Sequence, residues 1–201
     1  MGGFTRIADA LCLDFANTTI SQHGEYIELI QSFADFVQFL LENSVLSPAI
    51  AGDLINNWRL SDQNRALVSA RNFRDRIRKM AEQLSQNQPP DGSILQEINE
   101  MLAHQSGCMS VVKSTTGYEL RHHRNFDQPE HLLVPLAESA ASLLCEKDRN
   151  LVKKCSNSNC GLFFYDNTRN HTRRWCSMQT CGNRMKVNSY LQRKRQAGNN
   201  L

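Results

Sequence analysis

The run CSNSNCGLFFYDNTRNHTRRWCSMQTC, Cys155 to Cys181, decides how the rest of the chain is read. Cys155 and Cys160 are separated by four residues, Cys176 and Cys181 again by four, and fifteen residues lie between the two pairs. Four thiolates in two close pairs match what a tetrahedral zinc ion requires. A full set of cysteines leaves no position for a reactive water, so the expected cofactor is one structural Zn2+. It would supply folding energy to a segment too short to bury a core of its own. His171 lies between the pairs and could replace a cysteine, but its loop position reads better as solvated or phosphate-facing.

Paired disulfides and four unrelated thiols are the competing readings. Disulfides need an oxidising compartment. The first residues, MGGFTRIADALCLDF, lack the charged stretch, long apolar run and small-residue cleavage site of a secretory signal. No stretch approaches the roughly eighteen apolar residues of a membrane span. The expected location is therefore cytoplasmic, with no membrane partner and with reduced thiols. The total of seven cysteines is odd, and Cys12, Cys108 and Cys145 stand alone.

Charge divides the chain. From Lys147 onward there are twelve Lys and Arg against two acids, Asp148 and Asp166; before it there are eleven basic residues against eighteen acidic ones. That asymmetry predicts two domains, a body over 1–146 and a basic module over 147–201 with a polyanionic partner. A charge run alone would read as a solvated tail. Here the cations surround a metal site, and fixed geometry makes them useful against phosphates.

In the body, Leu11, Leu13 and Phe15 alternate, which predicts a short strand with Asp14 on its other face and a turn at Asn17-Thr18. Residues 26–43 carry apolar side chains at three- and four-residue steps, which predicts an amphipathic helix. Ser47-Pro48 opens a second helix. Ser61-Asp62 reads as the N-cap of a third, whose polar face carries Arg71, Arg74, Arg78 and Lys79. After the loop SQNQPPDG comes a helix through Ile94–Leu102. A hairpin of MSVVKS and YELRHH follows, turning at Thr116-Gly117, and then a buried helix in HLLVPLAESAASLLCE entered near Pro135. In the module, GLFFYD reads as a hairpin strand. The second cysteine pair opens a helix with Ser177 at its N-cap, with Met178, Met185 and Leu191 as its packing face. The fold class expected is α+β: a mostly helical N-terminal domain with a small β-sheet, then a treble-clef-like zinc finger.

RRWCSMQTCGNRMKV, Arg173 to Val187, resembles the CGNR zinc finger, named for Cys181, Gly182, Asn183 and Arg184. CGLFFYDNTRN resembles that finger's first half. LCLDFANT, ARNFRDRIRKM and ILQEINEMLA resemble the ABATE domain found ahead of it. The position of Ala16 departs from the pattern, a bulkier β-branched residue being usual there. The resemblance implies zinc ligation by Cys155, Cys160, Cys176 and Cys181, a bacterial transcription regulator with some members linked to stress, and a mixed α/β body that holds a small ligand.

The function expected is a one-component regulator: the body senses a small-molecule effector or forms a homodimer, and the finger binds DNA. Arg169, Arg173, Arg174, Lys186, Arg193, Lys194 and Arg195 are the candidate phosphate contacts. Arg184 and Asn188 are candidates for base edges, since Arg reads guanine and Asn reads adenine. Arg184 could equally brace the zinc loop, and Trp175 packs beneath the finger. The competing reading is a small-molecule-binding or enzymatic body, with the finger only a protein or RNA interaction module. Asp14, Asn17, Arg71 and Arg74 are the polar candidates for its pocket, though an Asp facing an Arg is more often a buried ion pair. No Ser/His/Asp set, phosphate loop or paired-acid motif is present, and His122 and His123 face opposite sides of a strand. An enzyme is not expected.

Overall fold

Alanines and large apolar residues recur at three- and four-residue steps through residues 60–85, and this segment is the spine of the molecule. The computed structural model describes residue 4, residues 6–22 and residues 25–198. Its elements are α1 (Leu11–Ala16), β1 (Thr19–Gln22), β2 (Glu25–Glu28), α2 (Phe33–Glu42), α3 (Pro48–Asn57), α4 (Leu60–Ser85), α5 (Gly92–Ala103), β3 (Cys108–Ser114), β4 (Gly117–His123), α6 (Val134–Cys145), β5 (Val152–Lys154), β6 (Phe163–Tyr165) and α7 (Asn183–Gly198). The α4 helix runs 26 residues, about 39 Å at 1.5 Å per residue. It buries Ala66, Ala70, Phe73, Ile77, Met80, Ala81 and Leu84 against α1, α2, α5 and the β5–β6 hairpin. The strands form three separate antiparallel hairpins, β1–β2, β3–β4 and β5–β6.

Three local expectations are corrected. Leu11–Ala16 is a helix, not a strand. Cys12, Leu13, Asp14, Phe15 and Ala16 are all buried, and a segment enclosed on every side loses the polar face by which period is read. The helix expected over 26–43 begins only at Phe33, where Ser32 and Asp35 form a capping box, and residues 25–28 are strand instead. Ser61-Asp62 is no cap, since α4 already starts at Leu60. The hairpin of β3 and β4 forms as expected, but its two-residue turn is Thr115-Thr116, one position earlier than expected, and Gly117 opens β4. Pro135 sits in the first turn of α6.

One apolar core runs from body to finger. Phe15 lies 6.0 Å from Phe36 and 5.5 Å from Phe39, ring centroid to centroid. Phe163 and Phe164 of β6 are fully buried in the same cluster. Burying a side chain of that size contributes about 1.5–3 kcal/mol, so β6 is anchored in the core it shares with the body.

Candidate metal centre and nucleic-acid interface

The zinc ligands are positioned by two turns, one connecting β5 to β6 and one following β6. The Cys155 N–H donates to the Leu162 carbonyl, and the Cys160 N–H to Asn157. The Ser156 N–H reaches the Arg174 carbonyl, tying the first knuckle to the strand that leads into the second. Of the second pair, Cys176 precedes a π-helical turn, Met178–Gly182, and Cys181 lies within it; the turn hands over directly to α7. All four Sγ atoms lie within 4.8 Å of one another, and the Cys160–Cys176 separation is 3.5 Å. Zn–S bonds of about 2.3 Å in a tetrahedron set sulfurs about 3.8 Å apart, so the set fits zinc. Thiols this close share their protons unevenly: hydrogen bonds from Cys160 and Cys176 hold Cys155 down at about 2. Hydrogen bonding to the Cys155 sulfur, with burial behind it, pushes Cys160 up to about 12 and raises Cys176 further. A divalent cation lets clustered thiols ionise together.

A second layer steadies the sulfurs. The Asn157 amide donates to Cys181 Sγ at 3.3 Å, and the Cys176 N–H approaches Cys155 Sγ at 3.4 Å. Such donors orient ligands and stabilise thiolate charge. Asn157 is buried, and no signal in the Ser- and Asn-rich loop singles it out from its neighbours. Gly182 is where the turn needs a small residue: a Cβ there would sit 2.9 Å from Met178 Sδ and 3.3 Å from Trp175 Cδ1.

Arg173 was expected to meet phosphates, and the structure uses it internally. Its Nε donates to the Trp175 carbonyl. Nη1 donates to Asp9 Oδ2 at 2.8 Å and to the Tyr165 carbonyl, and Nη2 to the carbonyls of Ile7 and Cys176 at 2.7 and 2.6 Å. A guanidinium has five N–H donors, and all are engaged. The group also lies 4.3 Å above the Phe164 ring. Arg173 thus joins the N-terminal segment, β6 and the second knuckle. Beside it, fully buried Asp166 accepts from the Thr168 hydroxyl and N–H, Lys153 Nζ and the Arg173 N–H. Burial opposes its ionisation, but those hydrogen bonds prevail and hold the carboxyl down at about 2.

The remaining basic candidates face solvent. Arg169, Arg174, Arg184, Lys186, Arg193 and Lys194 are exposed, and none is paired with a carboxylate among the described residues. Asn188 is exposed on α7 as well. Arg195 falls within α7, but its side chain lies outside the described residues. Arg174 stacks 5.2 Å over the half-buried Trp175 ring. Met178 and Leu191, expected to pack, are 53 % and 45 % exposed. Among the described residues α7, which carries Leu191, makes no substantial contact with any element beyond the turn that starts it, and Met178 lies in that turn.

The four polar residues expected to line a pocket are spread through the fold and bonded within it. Asn17 is the most informative. Its Nδ2 donates to the Phe163 carbonyl at 2.8 Å, and its Oδ1 accepts from the Phe163 N–H at 2.9 Å. The side-chain amide completes the outer hydrogen bonds of β6. Asp14 accepts from the N–H groups of Ile7 and Ala8, and burial raises its pKa. Arg71 donates to the carbonyls of Ile30 and Gln31. Arg74 pairs with Glu28 at 2.6 Å and with Asp75, not with Asp14. Sequence reasoning missed Arg78, which donates to the carbonyls of Ala16, Thr19 and Gly161 and lies 5.3 Å over the Phe163 ring.

Two family profiles match the chain. The CGNR zinc finger matches residues 152–194, which contain all four ligands. ABATE, described as "Putative stress-induced transcription regulator", matches residues 9–147. No curated protein matches the chain. Neither description is of an enzyme, and among the described residues no helix is long and apolar enough to cross a membrane. With its helical body, its buried four-cysteine cluster and a match over more than half its length, the chain belongs to the ABATE family and carries a CGNR zinc finger with one structural zinc site at its C-terminal end.

Proposed function

We propose that the protein is a transcription regulator that binds double-stranded DNA through α7 and the finger loop. The observation that carries this reading is a helix held at its start by a zinc ligand, with no other substantial contact among the described residues, and with exposed cations that pair with no carboxylate among them. A helix of this diameter fits the major groove. On this reading Arg184 and Asn188, one turn apart near the zinc, face the base edges. Lys186, Arg193 and Lys194 meet the flanking phosphates, and Arg169 and Arg174 meet the backbone beside the finger.

The effector reading finds its support at another place than the four residues first considered. A cleft of about 780 Å³ lies between the N-terminal segment and the finger, walled by Ile7, Asp9, Arg169, Arg174, Trp175 and Met178. A small molecule held there would touch both parts, through Asp9 on one side and Trp175 on the other.

The test is a mobility-shift titration of the zinc-loaded protein against genomic fragments at several salt concentrations, with single-stranded RNA as competitor. The expected result is binding whose logarithm falls linearly with the logarithm of salt. Binding that ignores salt, or that RNA removes at equimolar amounts, defeats the DNA reading.

A further inference from the structure

The β3–β4 hairpin stands off from the body and makes no substantial contact with any other element among the described residues. Met109, Val111, Tyr118 and Leu120 are each more than half exposed. The cross-strand pairs Met109↔His122, Val111↔Leu120 and Lys113↔Tyr118 alternate with the others, so these four apolar side chains share one face. A lone two-stranded hairpin is marginal in water, and an apolar face of this kind marks an interaction surface. The question is what covers it.

The free edge of β4 answers by its own symmetry. Ser114 and Gly117 flank a two-residue turn, and in such a hairpin the flanking pair exchanges both backbone hydrogen bonds. Alternation then points the N–H and C=O groups of Gly117, Glu119, Arg121 and His123 toward β3. Those of Tyr118, Leu120 and His122 point outward. An antiparallel two-fold centred on Leu120 sets these outward groups against the same groups of another β4. It also sets Glu119 opposite Arg121, twice, at non-hydrogen-bonded positions, where side chains approach most closely. Within one chain these two side chains already pair at 3.2 Å while 47 % and 57 % exposed. The β3 edge has no such property, since a two-fold on Val111 sets Ser110 against Val112 and Met109 against Lys113.

We propose that a second copy of this chain pairs along β4, making a four-stranded antiparallel sheet across a two-fold axis at Leu120. Opposite-charge pairs form between Glu119 of one protomer and Arg121 of its partner. The axis places both Leu120 side chains side by side on the apolar face, with the two Tyr118 rings diagonal to them. The interface is isologous and independent of the nucleic-acid reading, because the hairpin contains none of the residues assigned to DNA.

Sedimentation velocity of the zinc-loaded full chain over a concentration series tests this, with Glu119→Arg, Arg121→Glu and the double exchange as variants. All positions are exposed, so zinc content and circular dichroism should be unchanged. The wild type is expected to dimerise, each single variant to weaken association by about tenfold or more through two like-charge contacts, and the double exchange to restore it. A wild type that stays monomeric at its highest soluble concentration overturns the proposal. So do single variants that associate as the wild type does, and so does a double variant as monomeric as the singles.

Discussion

Asn17 shows how one side chain joins two parts of the chain 146 positions apart. Asn17→Ala would leave the buried N–H and C=O of Phe163 unpaired, with an expected loss of about 2–4 kcal/mol in chemical denaturation. Arg173→Lys keeps the charge but not the five-donor fork. A loss of about 2–4 kcal/mol is expected there too, whereas Arg174→Ala should stay within about 0.5 kcal/mol of wild type. Asp14 carries a pH signature. Burial raises its folded pKa, so the folded state takes up a proton before the unfolded state does. Wild type should therefore gain stability relative to Asp14→Asn as pH falls through the raised value. The gain levels off below the unfolded carboxyl value of about 3.9. Denaturation of both proteins across that range checks it, and a parallel pair of curves refutes it.

Elements were legible where one face was polar. The helices over Pro48–Asn57, Leu60–Ser85 and Gly92–Ala103 declare themselves by apolar steps of three and four, and the β3–β4 hairpin by its two strands, though its turn lies one residue earlier than expected. The α1 helix does not, because the body encloses it and its six residues make less than two turns. The zinc ligands were legible from spacing alone. Asn157, Arg78 and the inward turn of Arg173 were not, since each depends on which carbonyl or sulfur the fold brings near. Composition correctly marked the finger as basic, yet it could not separate cations spent on the protein's own carbonyls from those left to solvent. At this scale α7 makes its own prediction. Replacing Lys186, Arg193 and Lys194 by Ala should lower the salt slope of DNA binding by about one per phosphate contact removed. Zinc content should not change.

At the scale of the whole molecule, finger and body share one core, so the metal's influence should not stop at Cys155. Chelation, or Cys176→Ser, is expected to lower the melting temperature of the entire chain, seen as one transition by calorimetry and by near-ultraviolet circular dichroism. A body transition unmoved by metal loss would show that the Phe163 and Phe164 contacts couple nothing. The opposite holds at the far end. The sixteen residues of α7, about 24 Å of helix, make no substantial contact beyond the turn that starts them among the described residues, and a solitary helix of that length is marginal in water. Its backbone amides beyond the first turns should exchange with deuterium within seconds in the isolated protein and slow sharply once a duplex is bound. The last stretch of the protein would then finish folding on its target, and its affinity would carry the entropy of that ordering.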